Sequence, residues 1–272
     1  MMPLAMNIVH RIPAAPLDAI VAVLWWSRRA TSYTTCEHLL PGGSPQLVIA
    51  LHEQPIAWAD GDGRAGWHRW TGGILHGPQS TFYRAGPKPA GAVIGAAFRP
   101  GAAGAILGVP ATELLDGHVT LDELWGASGR ELHERLASSP DASSALRLLE
   151  QALIARLKTP LLVHPAVAHA LRESHTQPIE RMRKQTGYSH RHFVALFRSA
   201  VGLTPKHFFR VRRFSEAARQ LARQQGSLAD LAARMGYADQ AHFTREFREL
   251  CGVSPTAYRP RAPDSPNHHV AG

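Results

Sequence analysis

The sequence predicts an α+β protein in which an N-terminal β-barrel or sandwich with helices precedes an all-α domain of two helix-turn-helix units joined by a linker helix. Short apolar segments punctuated by glycine and proline fill the first half, and a helical pattern occurs twice in the second half. Residues 1–160 hold 13 basic and 13 acidic side chains, whereas residues 161–272 hold 17 and 8, which accounts for the net charge of +9. This distribution is typical of a polyanion-binding module attached to a neutral one.

The first half reads as strands followed by helices. Residues 17–26 are compatible with a helix that runs into a strand, and periodicity does not separate the two structures there. A buried strand is predicted for residues 46–51 and another strand for residues 91–98. Helices are predicted for residues 114–125, 130–137 and 143–157. The last helix carries a leucine stripe, which we expect to pack against its own domain, with dimerisation as the alternative; the stripe consists of Leu146, Leu149, Leu153 and Leu157.

A recognition helix is predicted between Asp239, a residue type that caps helix N-termini, and Gly252, which tolerates the left-handed conformation of a helix exit. Phe243, Phe247 and Leu250 recur at helical spacing and form one apolar stripe. The opposite face carries Gln240, Ala241, Thr244, Arg245 and Arg248. Glutamine and arginine can make paired hydrogen bonds to base edges in the major groove, while threonine and alanine suit a thymine methyl group or a phosphate.

A shorter helix precedes this one. Ser227 and Asp230 resemble a capping box that opens it, Leu228, Leu231 and Met235 face inward, and Gly236 closes it. Two helices joined by a tight turn predict a helix-turn-helix. The alternative from geometry alone is any pair of packed helices.

A second copy of the pattern favours the helix-turn-helix. Seven positions of the first copy recur 50 residues later (243 − 193 = 50), and only the cap pair, Ser189 and Asp239, differs in residue type. The recurring residues of the first copy are Ser189, His192, Phe193, Phe197, Arg198, Gly202 and Pro205. Between the copies, residues 205–222 predict a linker helix of roughly 27 Å, which suits two recognition helices in successive major grooves.

Residues from about 166 to 259 resemble the DNA-binding domain of the AraC family of bacterial transcription regulators. The resemblance is carried by Gly236-Tyr-Ala-Asp-Gln-Ala-His-Phe-Thr-Arg-Glu-Phe-Arg248, by Gly252-Val-Ser-Pro255 and by Tyr258-Arg259, with a looser counterpart in residues 187–205. It implies base-reading positions at His190, Arg191, Val194, Ala195, Gln240, Ala241, Thr244 and Arg245. Val194 and Ala195 are less polar than is common in the family, so the first helix is expected to read methyl groups or shape. For phosphate contacts we expect Arg198, Arg212, Arg213 and Arg248.

The first half is similar to an N-terminal domain found on one group of AraC-type regulators. The similarity is carried by residues 98–110 and 121–126, and its ligand is undefined. It implies a cupin-like domain for effector sensing or dimerisation over residues 1–158. A linker is predicted at 159–165 and the DNA-binding domain at 166–259, and the proline-rich composition of residues 260–272 predicts a disordered tail. The expected partners are double-stranded DNA, an unknown small-molecule effector, RNA polymerase and a second copy of the chain, and the expected role is that of an activator.

The cellular location and the absence of enzymatic chemistry are predicted from motifs that the sequence lacks. Cys36 and Cys251 are expected to be free thiols, and neither a membrane span nor a secretory signal is evident, so a bacterial cytoplasmic, nucleoid-associated protein is predicted. We expect no enzyme, no cofactor and no metal, because hydrolase and phosphate-binding motifs are absent and the histidines of the first half stand singly, as at His38, His52, His68 and His76. The six tryptophans suit either an apolar effector pocket or ordinary core. The alternatives are a cupin-like enzyme or metal-binding barrel tethered to DNA, and a non-specific architectural binder.

Overall fold

The computed structural model describes residues 6–61, 66–158, 163–173, 179–223, 226–261 and 267–270. Ten strands come first in the chain: β1 Met6–Arg11, β2 Val21–Arg29, β3 Glu37–Leu39, β4 Gln46–Ala50, β5 Ile56–Asp60, β6 His68–Trp70, β7 Gly73–His76, β8 Tyr83–Ala85, β9 Gly91–Phe98 and β10 His118–Thr120. Four helices accompany them: α1 Gly104–Leu107, α2 Leu121–Trp125, α3 Ala127–Ala137 and α4 Ala142–Ile154. We call β1 to α4 the β-rich part.

Six helices form the helical part: α5 Pro165–Arg172, α6 Ile179–Thr186, α7 His190–Val201, α8 Pro205–Ala222, α9 Leu228–Arg234 and α10 Gln240–Cys251. A last strand, β11 His268–Val270, follows it. Within the described residues, no helix is both long enough and apolar enough to cross a membrane. The α+β fold class predicted from the sequence is confirmed.

The β-rich part consists of two antiparallel sheets. One has six strands in the order β1-β2-β9-β4-β7-β10, and the other has five in the order β11-β3-β8-β5-β6. Alternating side chains of β4 are buried, with Leu47 and Ile49 at 0% exposure, as a strand covered on one face requires. The strands predicted at residues 46–51 and 91–98 are therefore confirmed as β4 and β9.

The helices of the β-rich part close one side of the six-stranded sheet. Leu146, Leu149 and Leu153 of α4 are at most 1% exposed and share a core cluster with Leu24 and Ile94 of the sheet. These three leucines therefore pack against their own part of the chain. The helix predicted over residues 143–157 ends at Ile154, and Leu157, the fourth leucine of the stripe, lies beyond it and is partly buried.

Two local predictions in the first half need correction or completion. Residues 17–19 form a single 3-10 turn, after which the chain enters β2. The continuous helix predicted over residues 114–125 is wrong, because β10 pairs with β7 and α2 begins only at Leu121. Thr120 sets that start: its hydroxyl oxygen accepts the Glu123 amide, and the Glu123 carboxylate accepts the Thr120 amide.

The prediction of a disordered tail is wrong for its described residues. His268–Val270 form β11 and pair antiparallel with Glu37–Leu39 of β3, and His269 is buried at 3% exposure. The proline-rich composition gave no sign of this pairing because the partner strand lies more than 200 residues earlier in the chain. Residues 262–266 and 271–272 lie outside the described residues, as do residues 159–162 of the predicted linker.

The helical part contains two similar units around α8. Phe193 and Phe197 of α7 are fully buried in one cluster, and Phe243 and Phe247 of α10 are fully buried in another. The helix starts follow the predicted caps, since each capping side chain accepts an amide of the first turn: Ser189 for α7, Thr204 for α8, Ser227 for α9 and Asp239 for α10. The predicted helix-turn-helix pairs are thus α6 with α7 and α9 with α10.

Candidate nucleic-acid interface and the adjoining cavity

The face of α10 that carries the predicted base-reading residues is turned outward. Gln240, Ala241 and Arg245 are exposed and Thr244 is half-buried, whereas the apolar stripe on the other side is buried. Asp239 fixes the start of the helix, because its carboxylate accepts the His242 amide at 2.6 Å. The predicted residues therefore share one accessible helix face.

The corresponding face of α7 has the same disposition. His190, Arg191 and Ala195 are exposed and Val194 is half-buried. The hydroxyl oxygen of Ser189 accepts the His192 amide at 3.3 Å, as its counterpart does in α10. The structure thus presents two equivalent outward faces, and base reading by either stays a prediction.

The four arginines expected to contact phosphates fall into two groups. Arg198 and Arg248 are exposed near the ends of α7 and α10. Arg212 instead donates to the carbonyl oxygens of Leu171 and Glu173, at 3.1 and 3.3 Å. Both groups remain predictions as phosphate contacts, but the guanidinium of Arg212 already ties α8 to the end of α5.

Arg213 is also engaged within the helical part. Its guanidinium pairs with both carboxylate oxygens of Glu246, at 2.9 and 3.0 Å, and lies over the ring of Tyr237 at 4.4 Å from the centroid. Arg210 joins the same carboxylate at 3.1 Å. Glu246 is only 7% exposed, so this network fixes α10 against α8. The sequence analysis did not predict this network. Its one sign in the sequence is Glu246, an acidic residue beside the apolar stripe of a basic helix.

A family model described as a helix-turn-helix domain matches residues 182–261, which begin in α6 and extend past α10. Residues 182–261 thus contain a helix-turn-helix domain of the AraC type. Its residues 9–120, within the β-rich part, match a second model, described as a domain of unknown function (DUF6597). The first match thus covers the helical part from within α6 to the end of α10 and leaves α5 outside.

Curated relatives of the AraC-type domain are transcription regulators. The HTH-type transcriptional activator RhaR of Pectobacterium carotovorum subsp. carotovorum is 33% identical over 156 residues, which cover 54% of this chain and 55% of that protein. The probable transcription factor PqrA of Proteus vulgaris is 33% identical over 81 residues, which cover 30% of this chain and 66% of that protein. The matches therefore span less than two thirds of these relatives. Among solved structures, ToxT of Vibrio cholerae aligns with 94% of this chain and 97% of that chain, with 10% identity and a TM-score of 0.47.

A cavity of about 400 Å³ lies in the β-rich part, next to the AraC-type domain. Four aromatic side chains line it: Trp25, Trp58, Trp70 and Tyr83. Three cationic side chains line it as well: Arg29, Lys88 and Arg261. A second cavity of about 690 Å³ lies between the segment around His52 and helix α3, and none of its described lining residues belongs to the AraC-type domain. Of these two cavities, the first alone has a described lining residue, Arg261, within the matched residues 182–261.

One loop, Gly77–Phe82, connects this cavity with the ends of both predicted recognition helices. Gly77 and Gln79 line the cavity. Gly202, which ends α7, packs so closely that a Cβ there would lie 3.0 Å from Cγ of Pro78. Gly252, which ends α10, packs so closely that a Cβ would lie 2.7 Å from Cζ of Phe82. Both glycines have positive φ, +88° and +83°, as a helix exit of this kind requires.

A histidine of β3 strengthens the contact at α10. The Nδ1 atom of His38 donates to the carbonyl oxygen of Cys251, the last residue of α10, at 2.9 Å. The His38 ring also stacks on Phe82, with 4.5 Å between ring centroids. Burial lowers the pKa of His38, which keeps the ring neutral at neutral pH. The recognition helix of the second unit thus ends in a hydrogen-bonded contact with the β-rich part.

A buried carboxylate links β3 with the tail. Glu37 has 0% exposure and interacts with Lys88, with Arg261 at 2.9 Å and with His268 at 2.8 Å. Burial alone raises the pKa of Glu37, but the hydrogen bond from His268 and the charge of Lys88 outweigh it and hold that pKa well below its usual range. Burial also lowers the pKa of Lys88 to about 8 despite the adjacent carboxylate. Sequence reasoning missed this cluster because its members come from distant segments.

Two histidines form a neutral pair on the adjacent strands β7 and β10. The Nδ1 atoms of His76 and His118 are 2.6 Å apart, so one ring donates and the other accepts. Burial lowers the pKa of His118 to about 4 and that of His76 well below its ordinary value. Over the described ranges, no group of three or more His, Cys, Asp or Glu side chains is arranged to hold a metal ion.

We expect acid to destabilise the protein through this pair. In the unfolded chain both rings have a pKa of about 6.5. Below that value the unfolded state binds protons that the folded pair does not bind, so the free energy of unfolding falls as the pH drops from about 6.5 towards 4. His118 alone, with its pKa of about 4, accounts for a loss on the order of 2 kcal/mol by pH 5. Urea unfolding at pH 7 and pH 5 measures the loss. His118→Gln is expected to reduce it and His190→Gln, on the exposed face of α7, to leave it unchanged; equal losses in all three proteins would contradict the assignment.

Proposed function

We propose that the protein is a sequence-specific DNA-binding transcription regulator whose DNA binding is controlled by a small effector in the 400 Å³ cavity. The observation that carries the proposal is the loop Gly77–Phe82, which lines the cavity and contacts the ends of both predicted recognition helices. The loop contacts the ends of α7 and α10, so a ligand that favours one position of the loop also favours one position of these helices. A ligand shifts a conformational equilibrium only when it binds one conformation more tightly than the other.

DNA recognition is assigned to the two outward helix faces. In α10, Gln240 and Arg245 make paired hydrogen bonds to base edges, each worth roughly 1–3 kcal/mol of discrimination, and Ala241 and Thr244 meet thymine methyl groups or phosphates. In α7, His190 and Arg191 supply polar contacts, and Val194 and Ala195 read methyl groups or shape. Arg198 and Arg248 contact phosphates, and Arg212 and Arg213 hold α8 in place for these contacts.

The same proposal covers the wider setting. The regulator acts on promoters in the bacterial cytoplasm, at the nucleoid, as an activator in contact with RNA polymerase. It has no catalytic role, in keeping with relatives that are transcription regulators. A homodimer, where formed, uses a surface other than Leu146, Leu149 and Leu153 of α4, whose side chains are buried within the chain.

The experiment that tests the proposal is selection of binding sites from random duplex DNA at one fixed salt concentration. The full chain is used with and without an extract of small molecules from a bacterial cell. We expect enrichment of a site that spans two adjacent major grooves, with an occupancy that changes when the extract is present. Tight binding without enrichment of any site would contradict sequence-specific regulation. Enrichment that is the same with and without the extract would contradict control by an effector.

Arg245→Ala is expected to relax sequence preference at one or two base pairs of the selected site, because it removes a paired hydrogen bond to a base edge. Arg248→Ala on the same helix is the matched control: it removes a predicted phosphate contact, so affinity falls for all sequences alike and the salt dependence becomes shallower. Selection with each variant measures both effects. An unchanged preference in Arg245→Ala would reject its base-reading role.

A further inference from the structure

Leu40 directly follows β3 and belongs to the core of the second helix-turn-helix unit. Its side chain is 7% exposed. In the part of the chain that the structure describes, the other buried members of this core cluster come from α8, α9, α10 and the segments beside them, and they include Phe214 and Phe247. One leucine of the β-rich part is thus built into the packing that holds α10 against α8.

Leu40 also lines the 400 Å³ cavity, as do the nearby residues Leu39, Gly42 and Ser44. The Leu40 amide donates to the carbonyl oxygen of Asn267 at 2.8 Å, which fixes the backbone at this point against the tail. Leu39 is half-buried and is not a member of the core cluster of the second unit. Leu40 therefore belongs to the cavity wall and to this core at once, whereas its neighbour belongs to the wall alone.

The residues that follow Leu40 hold the linker helix α8. The Ser215 hydroxyl of α8 donates to the carbonyl oxygen of Pro41 at 3.0 Å. Gly43 has a φ of +72°, and a Cβ there would lie 3.3 Å from the Phe208 ring of α8. The backbone of residues 41–43 thus approaches α8 about as closely as glycine allows.

The first helix-turn-helix unit has its own contact with the β-rich part. Gly202 ends α7, and a Cβ there would lie 2.8 Å from the carbonyl oxygen of Ala111 and 3.0 Å from Cγ of Pro78. The two units are therefore anchored to the β-rich part by different residues. The distance between the two recognition helices depends on both anchors as well as on α8.

The separation of two recognition helices determines which DNA sites fit them. Successive major grooves lie roughly 34–36 Å apart, and one added base pair turns the next element by about a tenth of a turn. The linker helix α8 has 18 residues and is about 27 Å long, so it does not span that distance by itself. The packing of each unit against α8 must supply the rest, and that packing discriminates between DNA spacings.

We propose that Leu40 is a positioning residue for DNA recognition: it fixes the distance between the two recognition helices and thereby the number of base pairs that the protein accepts between two recognised sequence elements. This inference rests on the proposed function in taking α7 and α10 as readers of DNA. It adds a residue of the β-rich part to the determinants of specificity. Because Leu40 also lines the cavity, an effector there that displaces it changes the accepted spacing and leaves the bases read by each helix unchanged.

The test uses the full chain at one fixed salt concentration and duplex libraries built from the two elements that the unaltered protein enriches. The spacer between the elements ranges from two base pairs shorter to two base pairs longer than the enriched one. We expect the unaltered protein to prefer one spacer over its neighbours by at least about tenfold, and Leu40→Ala to reduce that ratio to about threefold or less with the same bases enriched in each element. An unchanged ratio in Leu40→Ala would overturn the proposal.

This ratio separates positioning from stability. A residue needed only for folding lowers the fraction of active protein, so it weakens binding to all spacers alike and leaves the ratio between spacers unchanged. Leu40→Met keeps most of the side-chain volume and is expected to retain the spacer preference. Where Leu40→Ala does not fold, Leu40→Val removes only one methylene and is expected to give an intermediate ratio. A ratio in Leu40→Val equal to that of the unaltered protein would then contradict the role of Leu40.

Leu39→Ala is the matched control, because Leu39 lines the same cavity outside the core of the second unit. We expect it to keep the spacer preference. A loss as large as that in Leu40→Ala would show that the cavity wall sets the spacing without the packing of Leu40 into the second unit, and would contradict the proposal.

Repeating the selection with the small-molecule extract tests the link to the cavity. We expect the extract to change the ratio between spacers in the unaltered protein and to leave it constant in Leu40→Ala. Occupancy that changes equally for all spacers would contradict this link. A chain that enriches no DNA site contradicts both the regulator and the positioning role, whereas a two-element site whose spacer preference does not depend on Leu40 contradicts the positioning role alone.

Discussion

Replacing Phe247 with alanine is expected to lower the free energy of unfolding by about 3–5 kcal/mol. The side chain has 0% exposure and lies among three other rings, with centroid distances of 5.0 Å to Phe214, 5.6 Å to Phe243 and 5.5 Å to Tyr258. Alanine leaves a cavity at this point that the surrounding helices cannot fill, because α8 and α10 are held apart by the other aromatic side chains. Urea unfolding followed by helical circular dichroism measures the change.

The duplicated architecture provides the control. Phe197 occupies the equivalent position of the first unit, is also 0% exposed and packs on Phe208 at 5.5 Å between centroids. Phe197→Ala is therefore expected to cost a similar amount, whereas Phe247→Leu, which conserves most of the volume, costs less. An unaltered unfolding transition in Phe247→Ala would place this ring outside the core.

Replacing Glu37 with alanine is expected to cost a similar amount, about 3–5 kcal/mol, for an electrostatic reason. Lys88 and Arg261 both pair with this fully buried carboxylate, and their side chains are only 14% and 11% exposed. Removal of the carboxylate leaves two buried cations close to each other without their common anion. Chemical unfolding of the variant at pH 7 measures the loss.

Two further proteins test that reason. Glu53→Ala removes an exposed carboxylate from the same part of the chain and is expected to change stability little. The double variant Glu37→Ala/Arg261→Ala removes one of the uncompensated cations, so it is expected to be more stable than Glu37→Ala alone. The opposite result would be a double variant whose free energy of unfolding lies below that of Glu37→Ala by as much as Arg261→Ala alone lowers it. That result would show that the two residues act independently.

The helical part was largely predictable because its signals are local. A capping residue, an apolar residue every three or four positions and a glycine at the exit determine α7 and α10 within twelve residues each. The exposed face that follows from this pattern carries the predicted base-reading residues in the structure. Repetition of the pattern in the same chain then distinguished a double helix-turn-helix from an ordinary pair of helices.

Features that depend on distant partners were not predictable. The composition of residues 114–120 predicts a helix. Residues 118–120 instead form a strand, because their backbone pairs with β7. The phosphate contacts of Arg212 and Arg213 stay predictions, but no local pattern indicated their protein partners, which are carbonyl groups at the end of α5 and a buried glutamate of α10. The cavity joins the β-rich part with Arg261, Asn267 and His268, and the loop Gly77–Phe82 packs against Gly202 and Gly252 at the ends of α7 and α10. No spacing in the sequence connects these residues.

The pairing of β3 with β11 also has a consequence during protein synthesis. Glu37 and His268 are 231 residues apart, so the ribosome completes β3 long before it makes the strand that covers its outer edge. Until then the nascent β-rich part presents a row of unpaired amide and carbonyl groups at β3, the kind of edge that invites pairing with another chain. Pairing with β11 therefore covers this edge of β3, and the same segment adds Asn267 and His268 to the wall of the cavity.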